Sequence, residues 1–203
     1  MVNLALTTMR KVACEKYIFP DDYFDIPGIK DFEDLETVRT YVVGQMEEYA
    51  GENVEIYLNG GMAIEILSVL QAADKLNISM DILHYNKTEG IYIPQKVSWR
   101  SRKETDEREC VMLDLCKGRH GNQGERAVFD MVPEEKLFDF EWQKCRAFHV
   151  MSEYKNKRIF VYVSGLTSLC ISILNAADCL QVPVTFLHYN YNTEEYFPQA
   201  MDE

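Results

Sequence analysis

Short apolar runs alternate along this chain with longer segments whose apolar residues recur at helical spacing. Residues 2–6 form a first run that reads as a buried strand. A polar stretch with Pro20, Asp21, Asp22, Pro27 and Gly28 follows and reads as loop. Leu35, Val38, Val42 and Met46 keep a period near that of a helix and predict one over 34–49. Residues 54–58 predict a second strand, Asn59-Gly60-Gly61 a turn, and residues 62–76 a strongly apolar helix. A third strand is expected over 80–84, with a tight turn at 87–90 leading into 91–94. The order then recurs, with strands over 110–116, 160–163 and 184–188 and helices over 137–154 and 168–180. A Gly-rich polar loop spans 117–125, and Tyr196-Phe197-Pro198 closes the second round. Strands alternating with helices predict βαβ units, a mainly parallel sheet and right-handed crossovers. The expected fold class is therefore α/β, with two tandem Rossmann-like βαβ lobes forming a pseudo-dimer. The lobes are expected over 1–98 and 99–203, divided within the charged segment 96–109.

The recurrence extends to residue identity. An offset of 104 residues lays Gly61 on Gly165, Ala72-Ala73-Asp74 on Ala176-Ala177-Asp178, and His84-Tyr85-Asn86 on His188-Tyr189-Asn190. It also lays Tyr92, Pro94 and Gln95 on Tyr196, Pro198 and Gln199. Similarity at a fixed period marks an internal repeat. Without gaps, the alignment opposes Asn59-Gly60-Gly61 to Val163-Ser164-Gly165. Two copies of one lobe would present equivalent loops to a single, nearly two-fold symmetric ligand.

In open α/β sheets ligands bind beyond the C-terminal strand ends. In the first lobe that edge is expected to carry Thr7, Thr8 and Arg10, then Asn59, Gly60, Gly61 and Met62, then His84, Tyr85 and Asn86. In the second it carries the loop with Arg119 and His120, then Ser164, Gly165, Leu166 and Thr167, then His188, Tyr189 and Asn190. A glycine between strand and helix lets an anionic oxygen approach backbone N–H groups, and the positive end of the helix dipole follows. The blander reading is that a tight βα turn needs glycine whatever it binds. Imidazole, phenol and amide side chains suit nucleobase recognition. Equally, the histidines and tyrosines pack and the asparagines start turns. Arg119 and Arg126 have the side chains to clamp phosphate, while His120, His84 and His188 are candidates for moving protons. A solvated loop is the alternative for 117–126. Tyr-x-Pro-Gln is expected to shape an edge strand and its exit.

Charge and composition narrow the ligand. A net charge of -12 and a pI of about 4.8 argue against binding long DNA or RNA, which calls for a basic footprint. A small anionic ligand stays admissible, because backbone N–H groups hold phosphate without net positive charge. No apolar run reaches membrane-spanning length, and no secretory signal pattern opens the chain, so a cytoplasmic protein without membrane partners is expected. The six cysteines form no C-x-x-C and no zinc spacing. Reduced thiols and no metal or cofactor are therefore expected, with Cys170 and Cys179 as helix packing. Neither G-x-x-x-x-G-K-[ST] nor a dinucleotide G-x-G-x-x-G occurs.

The strand, Asn-Gly-Gly or Ser-Gly-Leu-Thr turn, apolar helix and strand resemble CARF domains, the CRISPR-associated Rossmann-fold sensors of cyclic oligoadenylate, and their ring-nuclease relatives. The resemblance rests on Asn59, Gly60, Gly61, Ser164, Gly165, Leu166 and Thr167 under the ligand phosphates, with Arg10, Arg119 and His120 as basic loop residues. It covers about two-thirds of each lobe at the level of architecture. The R-x4-6-H nuclease motif of many such sensors is missing, as is any effector domain beyond the two lobes. The resemblance implies a stand-alone cytoplasmic protein of antiviral defence or of counter-defence that binds a cyclic nucleotide in the cleft between lobes. It would sequester that ligand or cleave it slowly without metal, as an internal pseudo-dimer or as a homodimer. The other class left open is a protein-interaction or regulatory module with no nucleotide ligand.

Overall fold

The computed structural model describes residues 1–7, 22–26, 32–58, 62–101, 108–118 and 123–202. The chain divides into two compact units, Met1–Val97 and Ser98–Glu203. In the first unit, strands β1 (Val2–Thr7) and β2 (Asp22–Asp25) precede helix α1 (Phe32–Met46). Strand β3 (Asn53–Leu58), helix α2 (Ala63–Lys75), and strands β4 (Ser79–Asn86) and β5 (Ile91–Lys96) complete it. The strand order is β2-β1-β3-β4-β5. The first four strands are parallel, and β5 returns antiparallel to β4.

The second unit has β6 (Cys110–Cys116), β7 (Arg126–Phe129), α3 (Phe140–Ser152) and β8 (Arg158–Tyr162). Helix α4 (Thr167–Leu180), β9 (Val184–Asn190) and β10 (Glu195–Ala200) follow. Its sheet runs β7-β6-β8-β9-β10, again parallel except for the last strand. The two sheets therefore share one topology, and the α/β class with two Rossmann-like lobes is the observed one.

In each lobe, the crossovers through the two helices advance in the same direction across the sheet. Right-handed connections then place both helices on one face, where α1 packs on α2 and α3 on α4. Burial follows that asymmetry. Val54, Ile56 and Leu58 are buried, while Asn53 is exposed and Glu55 and Tyr57 are only half-buried. The helix side of the first lobe holds Ile66, Leu67, Val69, Ile56 and Ile82, each fully buried and each worth about 1.5–3 kcal/mol of transfer from water. Gln143 is a polar exception, buried between α3 and α4. Its amide donates to Lys136 O and Leu137 O and its oxygen accepts from Ser172 Oγ at 3.2 Å, so no hydrogen-bonding capacity is stranded there.

Several elements differ from the sequence pattern for identifiable reasons. Helix α3 starts later than expected because the Asp139 carboxylate accepts from Trp142 N and caps it, leaving Glu134–Lys136 as a separate 3₁₀ turn. Strand β2 lies in a stretch that reads as loop, and β7 begins at Arg126 of the basic loop and runs into residues to which the pattern assigns no element. Each has four residues and pairs on one side only, too short a run for alternation to register. Arg126 therefore belongs to a strand rather than a loop, and it pairs with Glu153 at 2.8 Å. Cys170 is buried as expected, but Cys179 is exposed.

Candidate functional site

The C-terminal strand ends of the second lobe meet the start of α4 through Val163, Ser164, Gly165 and Leu166. Ser164 is buried, and its hydroxyl donates to Cys116 O at 3.4 Å, tying this turn to the end of β6. Gly165 is exposed with φ of 132°, a backbone region that is essentially glycine-only. Leu166 occupies the N-cap position with 42% exposure, and Thr167 opens the helix. Neither a side-chain cap nor an acidic residue sits in the first turn of α4.

The equivalent helix start in the first lobe differs. Met62, at the N-cap of α2, is 50% exposed. Glu65 is 4% exposed, and its carboxylate accepts from Met62 N at 2.8 Å. A protein carboxylate thus already occupies the electropositive end of α2, where a phosphate would sit. Leu169 holds the matching position in α4. The two helix starts therefore differ in charge: α2 carries its own carboxylate and the first turn of α4 carries none.

His84-Tyr85-Asn86 and His188-Tyr189-Asn190 lie within β4 and β9 and pair with the returning strands. His84 Nε2 bonds Gln95 Oε1 at 2.8 Å, and His188 Nε2 bonds Gln199 Oε1 at 2.9 Å. Each Asn closes the hairpin: Asn86 Oδ1 accepts from Thr88 N and Glu89 N, and Asn190 Oδ1 accepts from Asn192 N. The two repeated motifs are thus halves of one device, a clasp between an inner strand and its antiparallel neighbour. Pro94 and Pro198 are tolerated because β5 and β10 are edge strands. His188 is 7% exposed. Burial lowers the pKa of both imidazoles to about 4, against the opposing effect of the glutamine bond. Both rings have a structural partner and are neutral near pH 7.

This neutrality has a measurable consequence. Between pH 6.5 and about 4 the unfolded histidines take up protons that the folded ones do not. Stability is then full above pH 6.5 and falls as the pH drops, by roughly 1.4 kcal/mol per unit for each histidine. Urea unfolding between pH 7 and pH 5 should show this slope. A flat profile there would mean that the folded rings titrate as the unfolded ones do.

The register also moves one alignment. Tyr57 pairs with Leu83 and Tyr162 with Leu187, so these tyrosines hold equivalent ladder positions, one residue out of step with the offset of 104. The chain reaches Ala63 six residues after Tyr57, but Thr167 five after Tyr162. The offset of 104 holds again at the N-caps Met62 and Leu166, so the slip lies between Tyr57 and Met62, and Asn59, Gly60 and Gly61 lie outside the described residues. Once the strands are matched by ladder position, both lobes show a tyrosine trio that was hidden in sequence. Tyr57 and Tyr85 flank Tyr92, with ring centroids at 4.9 and 5.1 Å. Tyr162 and Tyr189 flank Tyr196 at 4.7 and 5.1 Å.

Asp114 is another residue that sequence reasoning missed. It is 4% exposed, and its Oδ1 accepts from Gln123 N and Gly124 N, pinning the far root of the basic loop to β6. Arg119 and His120 lie outside the described residues, as do Thr8, Arg10, Asn59, Gly60 and Gly61. Thr7 ends β1. Among the described residues no helix is long and apolar enough to cross a membrane, and no cluster of His, Cys, Asp or Glu is placed to hold a metal ion.

No family model matches the chain, and no curated protein matches it in sequence. Solved structures do resemble it. A SAVED/CARF-domain-containing receptor, Cap4 of Acinetobacter baumannii, with the cyclic trinucleotide 2′3′3′-cAAA aligns over 100% of this chain at a TM-score of 0.51 and 12% identity. The same receptor with 3′3′3′-cAAA gives 0.50 at 12% identity, and a further structure of it gives 0.53 at 10%. The likeness is one of fold. The chain spans about half of each of those receptors, 51%, 51% and 50% of their length.

Proposed function

We propose that this chain binds a cyclic oligonucleotide second messenger at the C-terminal strand edge, with a ligand phosphate at the start of α4. The observation that carries the reading is the uncapped, acid-free first turn of α4 behind Gly165, in a fold shared with receptors solved with cyclic trinucleotides. Backbone N–H groups and the helix dipole stabilise a phosphate there without a basic surface, which reconciles an anionic ligand with a net charge of -12. With His84 and His188 clasped, any cleavage would fall to Arg119 and His120. In such a reaction the ribose 2′-hydroxyl would lose its proton and attack the adjacent phosphorus in line, and the P–O5′ bond would break with a proton delivered to the 5′-oxygen, leaving a 2′,3′-cyclic phosphate without a metal. Sequestration requires none of this and is the primary activity proposed, within a cytoplasmic, nucleotide-signalled antiviral response.

The test is calorimetry with 3′3′3′-cyclic triadenylate, followed by chromatography of the ligand. Saturable binding is expected, with the ring intact after long incubation. A linear product would add ring cleavage to the function. Absence of heat across cyclic di- and trinucleotides would overturn the reading. Stoichiometric recovery of a protein partner by such a non-binding chain would support an interaction module instead.

A further inference from the structure

The tyrosine trio of the second lobe lies at the same edge as the α4 turn. Tyr162 is the last residue of β8 and Tyr189 the next to last of β9, and Tyr196 pairs with Tyr189 across the hairpin. All three are half-buried, on the sheet face opposite to the helices. Next to them, Met112 is 44% exposed and accepts a hydrogen bond from Tyr162 Oη at 3.3 Å. Asp114 pairs in register with Tyr162, so the root of the basic loop stands beside the aromatic cluster. The Tyr196 phenol is kept protonated by partial burial and then by its neighbours Tyr162, Tyr189 and Asp114.

Simple packing explains this cluster poorly. A half-exposed sheet face is served as well by leucine or valine, without phenols to solvate. The first lobe keeps the trio at the same ladder positions although its intervening turn is one residue longer. Tyr162 stands two residues before Ser164, about 7 Å of extended chain, which matches the reach from a nucleotide phosphate to its base.

We propose that Tyr162, Tyr189 and Tyr196 form the surface on which the second lobe stacks a nucleobase of its ligand, an inference that rests on the nucleotide reading above. Aromatic side chains stack on any base through its π-face, and the phenol hydroxyls supply polar contacts at the base edge. The trio of Tyr57, Tyr85 and Tyr92 gives the first lobe a surface of the same kind.

The test uses 3′3′3′-cyclic triadenylate and its analogue with one 2-aminopurine, whose fluorescence is quenched on stacking. The wild type should bind both and quench the probe. Tyr189→Leu and, independently, Tyr162→Leu should each weaken binding roughly 10- to 100-fold and relieve the quenching, at melting temperatures that show a folded chain. Tyr189→Phe, which keeps the ring, should restore both. If the wild type binds but both leucine variants bind and quench equally well, the stacking surface is overturned while the nucleotide reading stands. If the wild type binds neither probe, both fall together.

Discussion

Gly124→Ala is expected to destabilise the second lobe by about 3 kcal/mol or more. A Cβ at Gly124 would stand 2.7 Å from Asp114 N, 2.7 Å from Leu113 C and 2.8 Å from Leu113 Cα. These are backbone atoms of β6, which is paired on both sides by β7 and β8. They have no rotamer through which to yield, so the loop root must move away. That displaces Gln123 N and Gly124 N from the Asp114 carboxylate and leaves a buried charge without its donors. Gly118, at the near end of the same loop, provides the comparison. Its φ is 80° but nothing lies within 4 Å of an added Cβ, so Gly118→Ala bears only the penalty of a side chain in the left-handed region, about 1–2 kcal/mol. Urea unfolding of both variants measures the difference. Equal midpoints would show that the loop root is not clamped against β6.

Gly165→Val should abolish cyclic nucleotide binding while costing a further 1–3 kcal/mol of backbone strain. At φ of 132° a β-branched residue is forced out of its allowed backbone regions. The new Cβ also meets Cys116 Sγ at 3.1 Å. The chain relieves both by rotating the turn, which swings Ser164 away from Cys116 O and re-aims the backbone ahead of α4. Affinity should therefore fall by more than stability does. In calorimetry with 3′3′3′-cyclic triadenylate, binding at least roughly 100-fold weaker is expected, equivalent to about 2.7 kcal/mol. Retention of wild-type affinity by a folded Gly165→Val chain would remove this turn from the site.

Much of this architecture was legible because periodicity and repetition reinforce each other. The strand over 110–116 coincides with the observed Cys110–Cys116, since its residues are apolar in sequence except Asp114 and the charged Glu109 and Lys117 flank it. The helices of the repeat announced themselves by apolar density. The short outer strands were illegible because four residues beside a single neighbour carry no period. The repeat also misled in one place. An ungapped offset hid the match of Tyr57 with Tyr162, because the slip falls in the turn and only the ladder pairing reveals it. His84 with Gln95 and His188 with Gln199 recur at the same separation of 11 residues. That recurrence was visible, but only the hairpin shows that the two motifs bond to each other rather than to a ligand. Asp114 gave no sign at all, because its role depends on a loop returning to it from nine residues away.

The carboxylate of Glu65 also limits how far the two lobes can be exchanged. At the matching position α4 carries Leu169. One helix start is thus completed by its own side chain and the other is not. A segment moved from the second lobe into the first would leave the backbone N–H of Met62 without its acceptor. Common ancestry of the strands and helices therefore does not make the turns between them interchangeable.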